Sequence, residues 1–247
     1  MEPRIGTAGW GIPGAVADAF PGPGSVLERY TRVLTAAEIN STFYRSHRPS
    51  TFERWARSVP TTFRFSVKVP RSITHEARLA RCEAKVDAFL TDIAPLGERL
   101  GPLLLQLPPS LAFDPDLTGV VCARLTRGEG VEICCEPRHP TWFTADADAW
   151  LAQRRIARVA AHPSPHPGAE EPGGWRGIAY YRLHGAPRVY FSRYDAEALA
   201  ALAARLTREP APDVLCVFDN TGSGAAAADA LALKGMLAAV AAAEPGV

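Results

Sequence analysis

The sequence has almost no net charge, few cysteines and no long apolar run. Its 247 residues carry a formal net charge of +1, so no overall field attracts nucleic acid or an anionic membrane, and binding an anion requires a local basic cluster. The five cysteines lack metal-ligand spacing, and we expect them to be reduced, buried thiols. The N-terminus has no apolar signal core, and no segment approaches the roughly 20 apolar residues of a membrane span. These absences predict a cytoplasmic protein without a membrane partner.

Several signatures of known chemistry are also missing. The chain has no P-loop, no nucleotide-binding glycine fingerprint, no HExxH and no G-x-S-x-G motif. Glu136, His139 and His184 could hold a metal, but no pair of them has a dedicated ligand spacing. The sequence therefore specifies neither a cofactor nor a metal, and it does not indicate an oligomeric state.

The chain does contain a repeated pattern of short apolar, strand-like segments, most of which end in one or two polar residues. Helical or Pro/Gly-rich stretches separate them, which is typical of βαβ units and a parallel sheet. Eight such units in about 250 residues predict an α/β fold, a single-domain (β/α)8 TIM-type barrel over residues 1–247. The first strand should pair with the eighth, and segments 11–24 and 162–175 should be long loops at the rim formed by the carboxyl ends of the strands. The predicted strands are Ile5–Gly9, Ala37–Asn40, Phe63–Lys68, Leu103–Gln106, Val131–Glu136, Arg158–His162, Ala179–His184 and Val214–Asn220.

Helix start signals occur between these strands. Ser25 and Ser50 each precede a helical segment and have a glutamate three residues later, as in a capping box. Asp114 is followed by a proline, which is tolerated at the first helical position. The alanine-rich segment 225–243 predicts a last helix that closes the barrel.

Glu38 and Asn40 end the second predicted strand. They are two residues apart, so both side chains face the same side of the strand. On the inner side of a barrel mouth, a carboxylate and an amide could hold a hydroxylated ligand. An internal hydrogen-bond network that fixes the strand explains the pair equally well.

The third and fourth predicted strands carry polar residues at their ends. Segment 63–70 alternates strictly, which puts Lys68 on the face opposite its phenylalanines and valines, and His75 follows in a short loop. A lysine in a barrel mouth can neutralise a phosphate or carboxylate, or act as a base after losing its proton. Gln106 lies in an aliphatic run, where an unpaired amide costs about 1–3 kcal/mol. It either braces its neighbours or contacts a ligand.

The densest cluster of reactive side chains follows the fifth predicted strand. Glu136, Arg138 and His139 occur within four residues, with Trp142 behind them. Arginine recognises carboxylate or phosphate in a bidentate manner, and glutamate and histidine can exchange protons. The alternative is an Arg–Glu salt bridge that fixes the loop.

The seventh and eighth predicted strands end in a cationic pair and an amide. Arg182 and His184 share one strand face, at the place where barrels often bind phosphate. Asn220 leads through a Gly-Ser-Gly turn into a helix, and the N–H groups at a helix start bind anions readily.

Together these motifs resemble the YecE-like family, a bacterial family of unknown function with a TIM-barrel fold. The resemblance covers essentially the whole chain and implies a barrel without an established reaction. Pro137 and His162 depart from the family pattern, in which an aromatic or aliphatic residue and an acid, respectively, are usual. The motifs that carry the resemblance are G-T-A-G-W at 6–10, E-I-N-S-T-F-Y at 38–44, F-R-F-S-V-K-V-P at 63–70, L-G-P-L-L-L-Q-L-P at 100–108, E-P-R-H-P-T-W-F at 136–143, Y-Y-R-L-H-G at 180–185 and F-D-N-T at 218–221.

The leading hypothesis is an enzyme that acts on a small phosphorylated or carboxylated substrate by hydrolysis, isomerisation or lyase chemistry. Three basic groups against two glutamates leave about one positive charge for an anionic ligand. A barrel that binds nucleic acid or processes phosphodiesters is the alternative, and a ligand sensor without turnover is a third. The proposed catalytic residues are Glu38, Lys68, Glu136, His139 and His184. The proposed substrate-binding residues are Asn40, His75, Gln106, Arg138, Trp142, Arg182 and Asn220.

Overall fold

The protein folds as a ring of mostly parallel strands surrounded by helices. A computed structural model describes residues 2–127 and 130–243. The strands are β1 (Arg4–Ala8), β2 (Ala36–Ile39), β3 (Arg64–Lys68), β4 (Leu100–Gln106), β5 (Ile133–Glu136), β6 (Ile156–Arg158), β7 (Ala160–His162), β8 (Gly173–Gly174), β9 (Ile178–Leu183) and β10 (Asp213–Phe218). The helices are α1 (Val26–Thr31), α2 (Pro49–Arg57), α3 (Glu83–Ile93), α4 (Pro115–Leu125), α5 (Ala145–Gln153), α6 (Ala196–Thr207) and α7 (Ala225–Ala243).

The strands form a nearly closed barrel, which confirms the predicted fold class. Their order in the sheet is β7-β9-β10-β1-β2-β3-β4-β5-β6-β8. The first and last predicted segments pair in parallel, with Arg4 opposite Leu215 and Thr7 opposite Phe218. The sixth predicted strand is divided at Val159, so that β6 pairs with β5 and β7 pairs with β9. Because β6 and β7 follow each other in the chain, they together bridge the ring between β5 and β9.

The helical layer differs from eight regular units in one place. Residues 163–172 contain no helix, because prolines and glycines interrupt this segment and leave a loop between β7 and the short antiparallel β8. In the other predicted loop, segment 11–24, residues 14–19 form a 3-10 helix, so the prediction of a loop over the whole segment is wrong. The sequence therefore predicted the positions of the long loops but not the secondary structure within them.

The predicted helix starts are largely confirmed. The Ser25 capping box is present at α1, and Asp114 caps α4. Capping by Ser50 is wrong, since α2 begins at Pro49, where the missing N–H leaves no unsatisfied donor.

The barrel interior has an apolar lower layer and a charged upper layer. The lower layer includes Ala36, Leu104, Cys134 and Tyr180. Cys135 lies in the separate core between strands and helices, so the two adjacent cysteines face opposite sides as predicted. All five cysteines are buried free thiols, which confirms that expectation. The upper layer, at the carboxyl ends of the strands, contains the polar residues that the sequence singled out.

The last helix, α7, is long and apolar enough to cross a membrane by length and composition. This corrects the statement that no segment approaches such a length. In the structure α7 packs against β1, β10 and α6, and Ala230 and Leu233 are fully buried in the core. Asp229 is also buried in it and accepts a hydrogen bond from Asn220. The helix therefore acts as the closing element of the helical layer.

Replacing Gly6 in β1 by alanine is expected to destabilise the barrel by about 1–3 kcal/mol, a typical cost of overpacking. A Cβ at Gly6 would lie 2.1 Å from the carbonyl oxygen of Ala36, a backbone atom that cannot rotate away. Gly11→Ala is the matched control, because a Cβ there meets nothing within 4 Å. Urea unfolding measures the difference, and equal midpoints for the two variants would contradict the close packing of β1 on β2.

Candidate functional site

Arg182 is the centre of the charged layer. Strand β9 alternates, so Tyr180 and Arg182 both point into the barrel. The Arg182 side chain is completely buried. Its Nε and Nη2 donate to the two oxygens of Glu38 at 2.8 Å each, and Nη1 donates to Oε2 of Glu136 at 3.1 Å. Nη2 also lies 2.9 Å from Oδ2 of Asp219. Arg182 thus holds three carboxylates together beneath the mouth.

His184 lies between two of these carboxylates. Its Nε2 is 3.0 Å from Oε1 of Glu136, and its Nδ1 is 3.0 Å from Oδ2 of Asp219. Burial opposes protonation, but the carboxylates of Glu136 and Asp219 outweigh it and raise the pKa of His184 above its usual value. The two carboxylates thus favour the imidazolium form, in which both ring nitrogens are donors.

Glu136 is held as a carboxylate by its neighbours. Its Oε1 accepts hydrogen bonds from Gln106 at 2.9 Å and from Arg138 at 3.2 Å, in addition to the His184 contact. Burial raises its pKa, yet Arg182 and His184 outweigh this and hold the pKa well below the usual range. A base this weak cannot accept a proton efficiently near pH 7. Glu136 is therefore suited to positioning His184 and Arg138.

Asp219 belongs to this group, although the sequence analysis did not select it. The inward-facing residues of β10 are Leu215 and Val217, and Asp219 continues the same two-residue period. This alternation is the feature of the sequence that could have identified Asp219 as a site residue. Asn220 instead faces the helical layer, where its Nδ2 donates to Asp229 at 2.7 Å and to the Ser192 carbonyl at 2.9 Å. The structure thus places Asn220 outside the barrel mouth.

Lys68 lies at the carboxyl end of β3 with 5% of its surface exposed. Its Nζ is 4.1 Å from the centre of the Phe43 ring. Burial, together with the positive charge of Arg182, lowers the pKa of Lys68 to about 8, and Glu38, Glu136 and Asp219 offset only part of this. Lys68 therefore exchanges its proton close to neutral pH.

His75 and Asn40 lie beside Lys68. The His75 ring packs edge-on against Phe43 at 5.0 Å, and burial and the charges of Lys68 and Arg138 lower its pKa. Asn40 opens a short 3-10 helix directly after β2 rather than ending the strand. Among the residues that the structure describes, none forms a hydrogen bond with its buried Oδ1.

Two further predicted site residues, besides Asn220, lie away from the network. His139 caps the short helix 140–143, with its Nδ1 2.9 Å from the Thr141 hydroxyl. Trp142 is fully buried in the outer core, where its Nε1 donates to the Leu111 carbonyl at 2.9 Å. Both residues have local structural partners, so the geometry supports neither catalysis by His139 nor ligand contact by Trp142.

A pocket of about 410 Å³ opens above Glu136 and His184. Arg138 forms part of its wall with 28% of its side chain exposed. The opposite wall is the loop 163–172, and His166 of this loop approaches the Arg138 carbonyl at 3.0 Å. The pocket therefore has a charged floor and one accessible guanidinium.

The charges of the mouth are nearly balanced. Three carboxylates and three basic groups cancel, so that protonation of His184 adds one positive unit. The count from the sequence alone left one excess positive charge at the mouth. The carboxylate of Asp219 cancels that charge, and protonation of His184 restores it. The carboxylates are Glu38, Glu136 and Asp219, and the basic groups are Lys68, Arg138 and Arg182.

Within residues 2–127 and 130–243, no group of three or more His, Cys, Asp or Glu side chains is arranged to hold a metal ion. Glu136 and His184 are adjacent, but their polar atoms are engaged with each other, Arg182 and Asp219. His139 lies outside this cluster, so the three metal-ligand candidates do not converge.

Comparison with known proteins identifies the family. Residues 4–246 match the family described as "Protein of unknown function DUF72". The chain belongs to the DUF72 family. UPF0759 protein YecE of Escherichia coli (strain K12) is 34% identical over 149 residues, which are 56% of this chain and 53% of YecE. The chain spans about half the length of the curated relatives it matches, and the predicted YecE-like resemblance is confirmed.

Solved structures of other DUF72 proteins have the same fold. A DUF72 family protein from Enterococcus faecalis V583 superposes with a TM-score of 0.80 at 21% identity, covering 96% of both chains. Another from Thermotoga maritima MSB8 has a TM-score of 0.78 at 26% identity, covering 96% of this chain and all of that one. The barrel is therefore the fold of the DUF72 family.

His162 departs from the family pattern, yet its side chain is not part of the charged network. It lies 3.0 Å through Nδ1 from the Tyr194 hydroxyl. The neighbouring Ala161 lines the pocket beside Arg138, so His162 faces the helical layer. The departure at position 162 therefore leaves the carboxylate cluster of this DUF72 protein intact.

Proposed function

We propose that this DUF72 protein is an enzyme that acts on a small phosphorylated or carboxylated substrate by general acid–base chemistry. The observation that carries the proposal is the pocket in which the partly exposed guanidinium of Arg138 lies over Glu136 and His184. A cavity of this size fits a small substrate, and a guanidinium binds an anionic oxygen pair through two parallel hydrogen bonds.

The buried network supports this division of roles. Arg182 is already engaged by three carboxylates beneath the pocket, so it positions the acids, and Arg138 binds the anion. Lys68 and His184 are the proton-transfer groups, because burial lowers the pKa of Lys68 to about 8 and the carboxylates raise the pKa of His184 above its ordinary value. Hydrolysis, isomerisation and lyase reactions all fit these groups. We also propose a cytoplasmic location, in keeping with the five free cysteines.

Arg138→Ala is expected to weaken anion binding roughly ten- to a hundredfold while the fold survives. Each charge-assisted hydrogen bond to an ionised ligand contributes about 1.5–3 kcal/mol. Calorimetry with phosphate, sulfate and sugar phosphates measures the loss, with neutral sugars as controls. Arg57→Ala is the matched variant, since Arg57 is exposed on α2 and pairs only with Glu53 among the described residues.

Equal affinity for neutral and anionic compounds, or unchanged affinity in Arg138→Ala, would contradict the proposal. Short oligonucleotides in the same titrations test the phosphodiester alternative. Tighter binding of oligonucleotides than of phosphate, falling steeply with added salt, would favour that alternative. Tight binding of a metabolite without any turnover would favour the sensor.

A further inference from the structure

We propose that Lys68 forms a covalent imine with the substrate, which makes the substrate an anionic aldehyde or ketone, such as a 2-oxo acid or a phosphorylated carbonyl compound. This inference rests on the proposed function, because the carbonyl compound has to reach Lys68 from the pocket above Glu136, a residue whose charge also acts on Lys68. It narrows the substrate class and gives Lys68 a role as nucleophile.

The surroundings of Lys68 are those of a reactive amine. The side chain is nearly buried, and its Nζ lies against the face of Phe43 rather than against an acid. No carboxylate in the described part of the chain forms an ion pair with it, since the acids of the mouth are bound to Arg182. Desolvation beside another cation favours the neutral, nucleophilic form of a lysine.

The pKa of Lys68 agrees with this environment. Burial and the charge of Arg182 lower it to about 8. At pH 7.5 roughly a quarter of such amines are neutral, against about 0.1% for an ordinary lysine. The reactive form is therefore a few hundred times more abundant than at an exposed lysine.

The choice of lysine at this position is notable in this chain. Only three of its 27 Lys and Arg residues are lysines. Lys85 is exposed on α3, and Lys234 on α7 donates to the Val33 carbonyl. An arginine at position 68 would supply a permanent charge for an anion but no nucleophilic amine.

The reaction balances without a cofactor. The neutral amine of Lys68 attacks the carbonyl carbon, a C–N bond forms, and one amine proton passes to the carbonyl oxygen. The carbinolamine then loses its hydroxyl group and the second amine proton as water, and a C=N bond forms. A proton from solvent converts the imine to an iminium, which carries the same charge as the ammonium it replaces. The three carboxylates near Lys68 stabilise that charge, and hydrolysis reverses the sequence.

Reductive trapping tests the inference. The full-length protein is incubated with glyoxylate and sodium cyanoborohydride, and the adduct is located by peptide mass spectrometry. We expect one main adduct, on Lys68, formed at least about ten times faster than on Lys85 or Lys234. Its rate should rise with pH through a midpoint near 8. Lys68→Arg should abolish the adduct, and Lys85→Arg should leave it unchanged.

Labelling of Lys68 no faster than of Lys85 and Lys234 in the wild-type protein would overturn the inference, whether or not Lys68→Arg folds. If phosphate binding still depended on Arg138 in that case, the proposed function would survive alone. Neutral glycolaldehyde separates the two claims further. We expect Arg138→Ala to slow trapping of glyoxylate and not of glycolaldehyde. Equal trapping of both compounds, unaffected by Arg138→Ala, would overturn the anionic substrate class.

Discussion

Replacing Arg182 by methionine should lower the free energy of unfolding by about 3–5 kcal/mol, the usual cost of removing one partner from a buried ionic network. Methionine is uncharged and unbranched, so the main loss is the guanidinium that neutralises Glu38, Glu136 and Asp219. None of these acids can reach solvent, because each is almost completely buried. Chemical unfolding followed by circular dichroism measures the change.

The matched control is Arg57→Met, which removes an exposed pair with Glu53 and should cost well under 1 kcal/mol. Adding Glu38→Gln to Arg182→Met should recover part of the loss, since it removes one of the unbalanced charges. An unfolding midpoint for Arg182→Met equal to that of Arg57→Met would contradict the central position of Arg182.

His184→Phe should cost about 2–4 kcal/mol at pH 6, because it removes a cation that donates to two buried carboxylates. The folded-state pKa of His184 is raised above its ordinary value. Its stabilising effect is therefore complete below about pH 6.5 and is lost as the pH rises through the folded-state pKa. The difference between wild type and His184→Phe should shrink accordingly at high pH.

Urea unfolding at pH 6 and pH 9 measures this effect. Lys68 acts in the opposite direction, because its lowered pKa makes the folded state more stable as the pH rises above about 8. Both proteins contain Lys68, so its contribution largely cancels in the comparison. Gly11→Ala, which changes no titratable group and adds a Cβ that meets nothing within 4 Å, should change stability equally at both pH values. A His184→Phe difference independent of pH would mean that folding leaves the pKa of His184 unchanged, which would contradict the raised pKa.

The sequence predicted the barrel and much of its mouth, because both depend on the two-residue alternation of side chains along a strand. Alternation along each strand correctly placed Glu38, Lys68 and Arg182 on the interior face, and closure of the ring brings them together. The same rule would have found Asp219, but Asn220 was taken as the end of the strand. The division of the sixth strand at Val159 and the helix in segment 14–19 follow from no local pattern. The carbonyls of Ala17 and Phe20 in and after that helix accept hydrogen bonds from Arg29 of α1.

The roles of individual side chains were less accessible from the sequence. The Trp142 partner is the Leu111 carbonyl, 31 positions away, so its burial could not be read from the cluster around Glu136. Arg182 was expected to bind a ligand, but distances in three dimensions show that three carboxylates already occupy it. A sequence can indicate which face of a strand a residue occupies. Which acceptors pair with a given side chain depends on the residues that the other strands of the barrel bring next to it.

The proposed function requires that an anion bind beside Arg138 in the pocket above Glu136 and His184. Anomalous diffraction from crystals soaked in selenate tests it most directly, since selenium is located independently of the protein phases. We expect selenate in this pocket, with an oxygen within about 3.2 Å of the Arg138 guanidinium, and no selenate there in Arg138→Ala crystals. Selenate bound only elsewhere on the protein, with the Arg138 pocket free of it, would show that Arg138 does not bind the anion.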